Sequence, residues 1–128
     1  MNLLLDTHTF LYFVNNSPLL SPDARTAIED PANDIHLSIA SAWEIAIKSS
    51  LNKPQISKPV EIFSPEQLWL NDFQLLPINI SHLGAVAKLA LHHRDPFDRL
   101  LAAQSIAESW PIVSADAQLD AYSVQRIW

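Results

Sequence analysis

His92-His93-Arg94-Asp95-Pro96-Phe97-Asp98-Arg99-Leu100-Leu101-Ala102-Ala103-Gln104 reads as a helix start built to hold a carboxylate. Asp95 can accept backbone N–H bonds as an N-cap, and Pro96 suits the first helical position. Asp98 falls three residues after the cap, where the helix dipole favours negative charge. Leu100, Leu101 and Ala102 then lead into an amphipathic helix through about Glu108. Capping alone would explain both acids. Asp98 gains weight because Asp6, Glu44 and Asp116 occupy comparable positions elsewhere in the chain.

Outward from this stretch, strands alternate with helices. Asn2 to Leu5 is a short apolar run, a buried strand ending at Asp6-Thr7 and followed by a helix through about Val14. Ser21-Pro22 starts a second helix to about Glu29, and Ile35 to Ser38 is a second strand. Ser41 and Glu44 have capping-box spacing and open a helix through about Leu51. Asn52 to Ser64, with Pro54 and Pro59, is expected to be a surface connection, after which Pro65 restarts a short helix to about Asn71. Leu75 to Ile80 reads as a strand, with Pro77 best placed at an edge or a strand start. Ser81 begins a helix to about Leu91. Pro111 to Ser114 is a buried strand, Ala115 to Ala121 a short helix and Val124 to Trp128 a terminal strand. This alternation implies an α/β fold, a mostly parallel, roughly five-stranded sheet with helices on both faces. Trp43, Phe97, Phe10, Leu11 and Phe13 lie at helical spacings that usually mean core.

Composition narrows the chemistry. With 128 residues the chain is expected to form one domain, residues 1–128. Hydrophobic residues make up 48%, which fits a sheet covered on both faces. Having no Cys, the chain has no disulfide, thiolate metal site or cysteine nucleophile. The single glycine, Gly84, excludes a P-loop and a dinucleotide fingerprint. The N-terminal apolar run lacks a basic lead and ends at Asp6, and no run reaches membrane-spanning length, so a cytoplasmic protein is expected. A net charge of −6 argues against gripping nucleic acid by bulk electrostatics, yet suits carboxylates offset by bound cations, or a cationic partner.

In a parallel α/β sheet the strand ends and following helix starts share one edge, where ligands bind. Asp6, Glu44, Asp98 and Asp116 map there. Each also has a structural reading: Asp6 as a cap, Glu44 paired with Ser41 or with Lys48 one turn on, Asp98 and Asp116 in first helical turns. Together they would repel and raise one another's pKa unless something positive sits between them. An oxygen-rich, thiol-free cluster selects hard cations such as Mg²⁺ or Mn²⁺, whose chemistry includes phosphodiester hydrolysis.

Leu3-Leu4-Leu5-Asp6-Thr7-His8, Ser41-Ala42-Trp43-Glu44-Ile45-Ala46-Ile47-Lys48, His92 to Arg99 and Ser114-Ala115-Asp116, in this order, resemble the PIN-domain family, in particular VapC-type toxins of toxin–antitoxin pairs. The resemblance implies a Rossmann-like α/β/α sandwich and a Mg²⁺- or Mn²⁺-dependent endoribonuclease leaving a 5′-phosphate and a 3′-hydroxyl. It further implies a cognate antitoxin partner and a homodimer. By position, Asp6, Glu44 and Asp98 match the three core acids and Asp116 the more variable fourth. Thr7 and Ser114 match polar positions that orient a water at the metal. Arg94, Arg99 and Lys48 are the candidate cations for RNA, while His92 and His93 read more readily as a polar loop. Exposed apolar residues near the first two helices are the expected antitoxin groove. The alternatives are a PIN-fold RNA-processing nuclease without a toxin role and a phosphoacceptor or binding module without nuclease activity. A receiver domain is disfavoured because Thr7, not a second acid, follows Asp6, and no Lys lies near Ser114.

Overall fold

A computed structural model describes residues 1–128. Its elements are β1 (Asn2–Leu5), α1 (Thr7–Val14), α2 (Pro22–Glu29), β2 (Asp34–Ser38), α3 (Ile39–Ser50), α4 (Val60–Leu70), β3 (Gln74–Leu76), α5 (Ile80–Lys88), α6 (Pro96–Glu108), β4 (Ile112–Val113), a 3₁₀ turn (Ala117–Ala121) and β5 (Arg126–Ile127). The five strands form one sheet in the order β3-β2-β1-β4-β5, and every pair is parallel. No helix is long and apolar enough to cross a membrane.

Because side chains alternate along a strand, β1 divides its leucines between the two faces. Leu3 and Leu5 join Phe10, Ala24, Ile28, Ile35, Leu37, Phe63 and Val113 on the face covered by α1, α2 and α4. Leu4 joins Leu100, Leu101, Ala102 and Ile112 on the face covered by α6. Leu3, Leu4 and Leu5 are all fully buried, which explains a first strand that is apolar after Asn2. Truncating any one of them to alanine would cost about 2–5 kcal/mol. β1 is central, and the chain builds outward on one side through β2 and β3 before crossing to β4. The order therefore reverses between β1 and β4, the kind of crevice in which open α/β sheets hold ligands.

Several boundaries differ from the sequence reading, each for a local reason. α3 starts at Ile39, not Ser41: Ser38 ends β2 in extended backbone and its hydroxyl accepts the Ala40 N–H at 3.0 Å, so strand passes into helix without a loop. Ser41 lies inside that helix, and Glu44 is in its second turn rather than its first. α4 starts at Val60 and runs through Pro65, which does not restart it. Pro65 deprives only the Glu61 carbonyl of its helical donor, and Glu61 is exposed to water. Burial of Phe63, edge-on to Phe10 at 6.1 Å, favours keeping the helix whole. β3 stops at Leu76 because Pro77 has no N–H for the ladder, and α5 begins at Ile80 and ends at Lys88. The segment after β4 is a 3₁₀ turn from Ala117, capped by Asp116. Phe10 and Leu11 are core as expected, but Trp43 is 55% exposed.

Candidate metal centre

Asp6 is the whole connection between β1 and α1. One carboxylate oxygen caps α1 by accepting the Thr9 N–H at 2.7 Å, and the other accepts a hydrogen bond from the Ser114 hydroxyl. The Asp6 N–H donates to the Val113 carbonyl at 3.2 Å, and the Thr9 hydroxyl donates to the same carbonyl at 2.9 Å. The ends of β1 and β4 are thus fastened together at the crevice, and Asp6 is buried there in a fixed orientation.

Asp95 caps α6, accepting the N–H groups of Phe97 at 2.8 Å and Asp98 at 3.2 Å. Pro96 then takes the first position, where its missing N–H costs nothing. The cap leaves Asp98 in the first turn without a backbone duty of its own. Burial pushes the Asp98 carboxyl up to about 7, Asp95, Asp6 and Glu44 add to the push, and His93 opposes it. Those couplings bring three of the four expected acids into one electrostatic group. Glu44 is buried on α3 and pairs with Lys48 at 3.4 Å, so its structural reading from the sequence also stands. The rings of Trp43 and Phe97 meet edge to face at 5.0 Å, joining the two helices that carry Glu44 and Asp98.

Asp116 caps the 3₁₀ turn through the Gln118 N–H at 3.0 Å. Its second oxygen lies 2.7 Å from His93 Nε2, which is itself 3.4 Å from Asp98. A cleft of about 310 Å³ opens here, lined by Asp6, His8, Thr9, Tyr12, Asp98, Ala115 and Asp116. This oxygen-rich donor set, with Lys48 beside Glu44 and Arg126 coupled to Asp116 as its nearby cations, suits a hard divalent cation.

The polar neighbours have defined partners. The Thr7 hydroxyl donates to Ser41 at 3.0 Å, tying α1 to α3, and the Ser114 hydroxyl, besides orienting Asp6, accepts the Asp116 N–H at 3.0 Å. Arg99 donates to the Ala90 carbonyl at 3.0 Å and lies 3.4 Å from the Tyr122 hydroxyl, whereas Arg94 is exposed. Sequence reasoning missed Thr9 and undervalued His93. An apolar strand-end pattern does not disclose that Thr9 reaches Val113, 104 residues away.

The PIN-domain family model matches residues 3–125. No curated protein matches the chain. Among solved structures, the crystal structure of VapBC2 from Rickettsia felis bound to a DNA fragment from their promoter superposes with a TM-score of 0.73. That match has 17% identity and covers 98% of this chain and 97% of that one. VapBC-1 from nontypeable Haemophilus influenzae gives 0.67 at 17% identity, covering 98% and 96%. FitAcB from Neisseria gonorrhoeae gives 0.65 at 18% identity, covering 97% and 95%. At such identities the likeness speaks for the fold. The family match over nearly the whole length, on a parallel sheet with acids gathered at its crevice, places this chain in the PIN-domain family of divalent-metal-dependent nucleases.

Proposed function

We propose that the chain is a VapC-like toxin: a single-domain, cytoplasmic endoribonuclease that hydrolyses RNA and is neutralised by a cognate antitoxin, working as a homodimer. Asp6, Glu44, Asp98 and Asp116 would hold Mg²⁺ or Mn²⁺. The observation that carries this reading is the meeting of Asp6, Asp98 and Asp116 on one cleft at the sheet crevice, where burial and the neighbouring Asp95, Asp6 and Glu44 raise the Asp98 carboxyl to about 7. A cation beside such a group would favour its ionised form. The bound cation would supply positive charge that acidifies water and stabilises the departing 3′ oxygen. The protein's own part is orientation. Ser114 and the Thr9 N–H hold Asp6 from both sides, the α6 cap presents Asp98, and Arg94, exposed just ahead of that cap, would be the cation offered to phosphate. The toxin role draws on the fold likeness to VapBC and FitAcB assemblies.

Purified protein should cleave RNA with Mg²⁺ or Mn²⁺ and stop in EDTA. Asp6→Asn and Asp98→Asn should abolish cleavage while circular dichroism shows the fold intact. Equal activity in EDTA and in Mg²⁺ would sink the metal mechanism. Expression of the wild type should arrest growth and that of Asp98→Asn should not; arrest by both would disconnect toxicity from hydrolysis.

A further inference from the structure

We propose that His93 is a positioning residue and not a metal ligand: its imidazole, held as the Nε2–H tautomer, donates to Asp116 and keeps that carboxylate beside Asp98. This rests on the metal-nuclease reading of the site and deepens it. The donor atoms of His93, Asp98 and Asp116 lie within 4.8 Å of one another, so distance alone would admit a three-ligand ion site. Hydrogen bonding decides otherwise. Nδ1 of His93 accepts the backbone N–H of Asp95 at 3.1 Å, and an amide can only donate, so Nδ1 must carry its lone pair. Nε2 faces carboxylate oxygens of Asp116 at 2.7 Å and Asp98 at 3.4 Å, which calls for a proton there. The neutral Nε2–H imidazole satisfies both ends.

Ligation through Nε2 would need that nitrogen bare, moving the proton to Nδ1 and setting two donors face to face. A metal-bound histidine instead donates its far N–H to an acceptor. The ring has little freedom to escape this arrangement. The His93 N–H donates to the Tyr122 hydroxyl at 2.8 Å, and Arg99 bonds the Ala90 carbonyl of the same connection. Without His93 the second oxygen of Asp116 would lose its hydrogen-bond partner. The chain uses the same frame at His82, fully buried and distant in sequence from the four acids: Nδ1 accepts the Asn79 N–H at 3.0 Å and Nε2 meets Glu108 at 2.9 Å.

The test is long-range ¹⁵N–¹H NMR of the imidazoles in the full chain, metal-free and saturated with Mg²⁺, with calorimetric Mg²⁺ titration of the wild type, His93→Ala and His93→Gln. The Nε2–H pattern of His93 should persist when Mg²⁺ binds. Mg²⁺ affinity should fall about tenfold or more in His93→Ala and largely recover in His93→Gln, whose amide can donate from the same place. A deprotonated Nε2 in the Mg²⁺-loaded protein, or wild-type affinity in His93→Ala, overturns the role. Failure of the wild type to bind Mg²⁺ or Mn²⁺ would instead overturn the metal reading beneath it, and is distinguishable because the tautomer is read in the metal-free protein.

Discussion

His82 and His93 stand near opposite ends of α6 and are wired alike, each with Nδ1 on a backbone N–H and Nε2 on a carboxylate. They differ in what lies beyond. His82 meets Glu108 alone and is sealed from solvent, close to Gln104. His93 meets Asp116 with Asp98 also in reach, and its neighbours open into a cleft. One donor can balance one carboxylate. A second, with Asp6 and Glu44 nearby, leaves charge that hydrogen bonding does not offset, and that surplus is what the proposed metal would neutralise.

The widest separation between the two ends should appear in catalysis. Losing a metal contact worth several kcal/mol in the transition state predicts a fall of about a thousandfold in RNA cleavage for Asp98→Asn, while Glu108→Gln keeps the wild-type rate. Equal losses in the two variants would erase the contrast. Stability should divide the other way: His82→Ala leaves a buried void beside Gln104 and Glu108, and should lower unfolding free energy by about 2–4 kcal/mol in urea titration with metal affinity unchanged.

The effect of pH is smaller and has a definite sign. Folding raises the Asp98 pKa from 3.8 to about 7, so between those values the native state binds a proton that the unfolded chain has released. Stability from this group is therefore highest below about pH 4 and declines as pH climbs toward 7. After discounting for solvent screening of a partly exposed carboxylate, the metal-free protein should lose about 1 kcal/mol, or ~2–5 °C in Tm, across that window. Asp98→Asn should flatten the slope, and Mg²⁺ should restore the wild type at neutral pH. A parallel pair of Tm profiles would count against the raised pKa. The smallest change expected lies just past Glu108, where Ser109 ends α6 in the left-handed region at φ 58°. Ser109→Gly should stabilise by roughly 0.5–1 kcal/mol in denaturant melts without altering cleavage.

Much of this was legible in the residues. A leucine strand stopping at an acid, and Asp95-Pro96 capping a helix that then presents Asp98, are local signals, and local chemistry decided them. The helix after β2 shows where local signals compete. Ser38 and Ser41 are both competent caps, Glu44 completes a box only with the second, and the direct passage from strand to helix selected the first. Pro65 reads as the start of a helix until Phe63, just before it in the same helix, is known to pack on Phe10. His93 looked like loop polarity because its decisive partner, Asp116, lies 23 residues on, and Ser114 meets Asp6 across 108. Contacts of that span follow from strand order, which no short motif encodes.

The junction at Asp6 carries an evolutionary consequence. A connection one residue long has no slack: inserting a residue would turn α1 by about 100° and carry the Thr9 amide away from its carboxylate. Length changes must therefore fall in the longer connections, while Asp6, Thr9 and Ser114 are held to their side chains by the bonds they share.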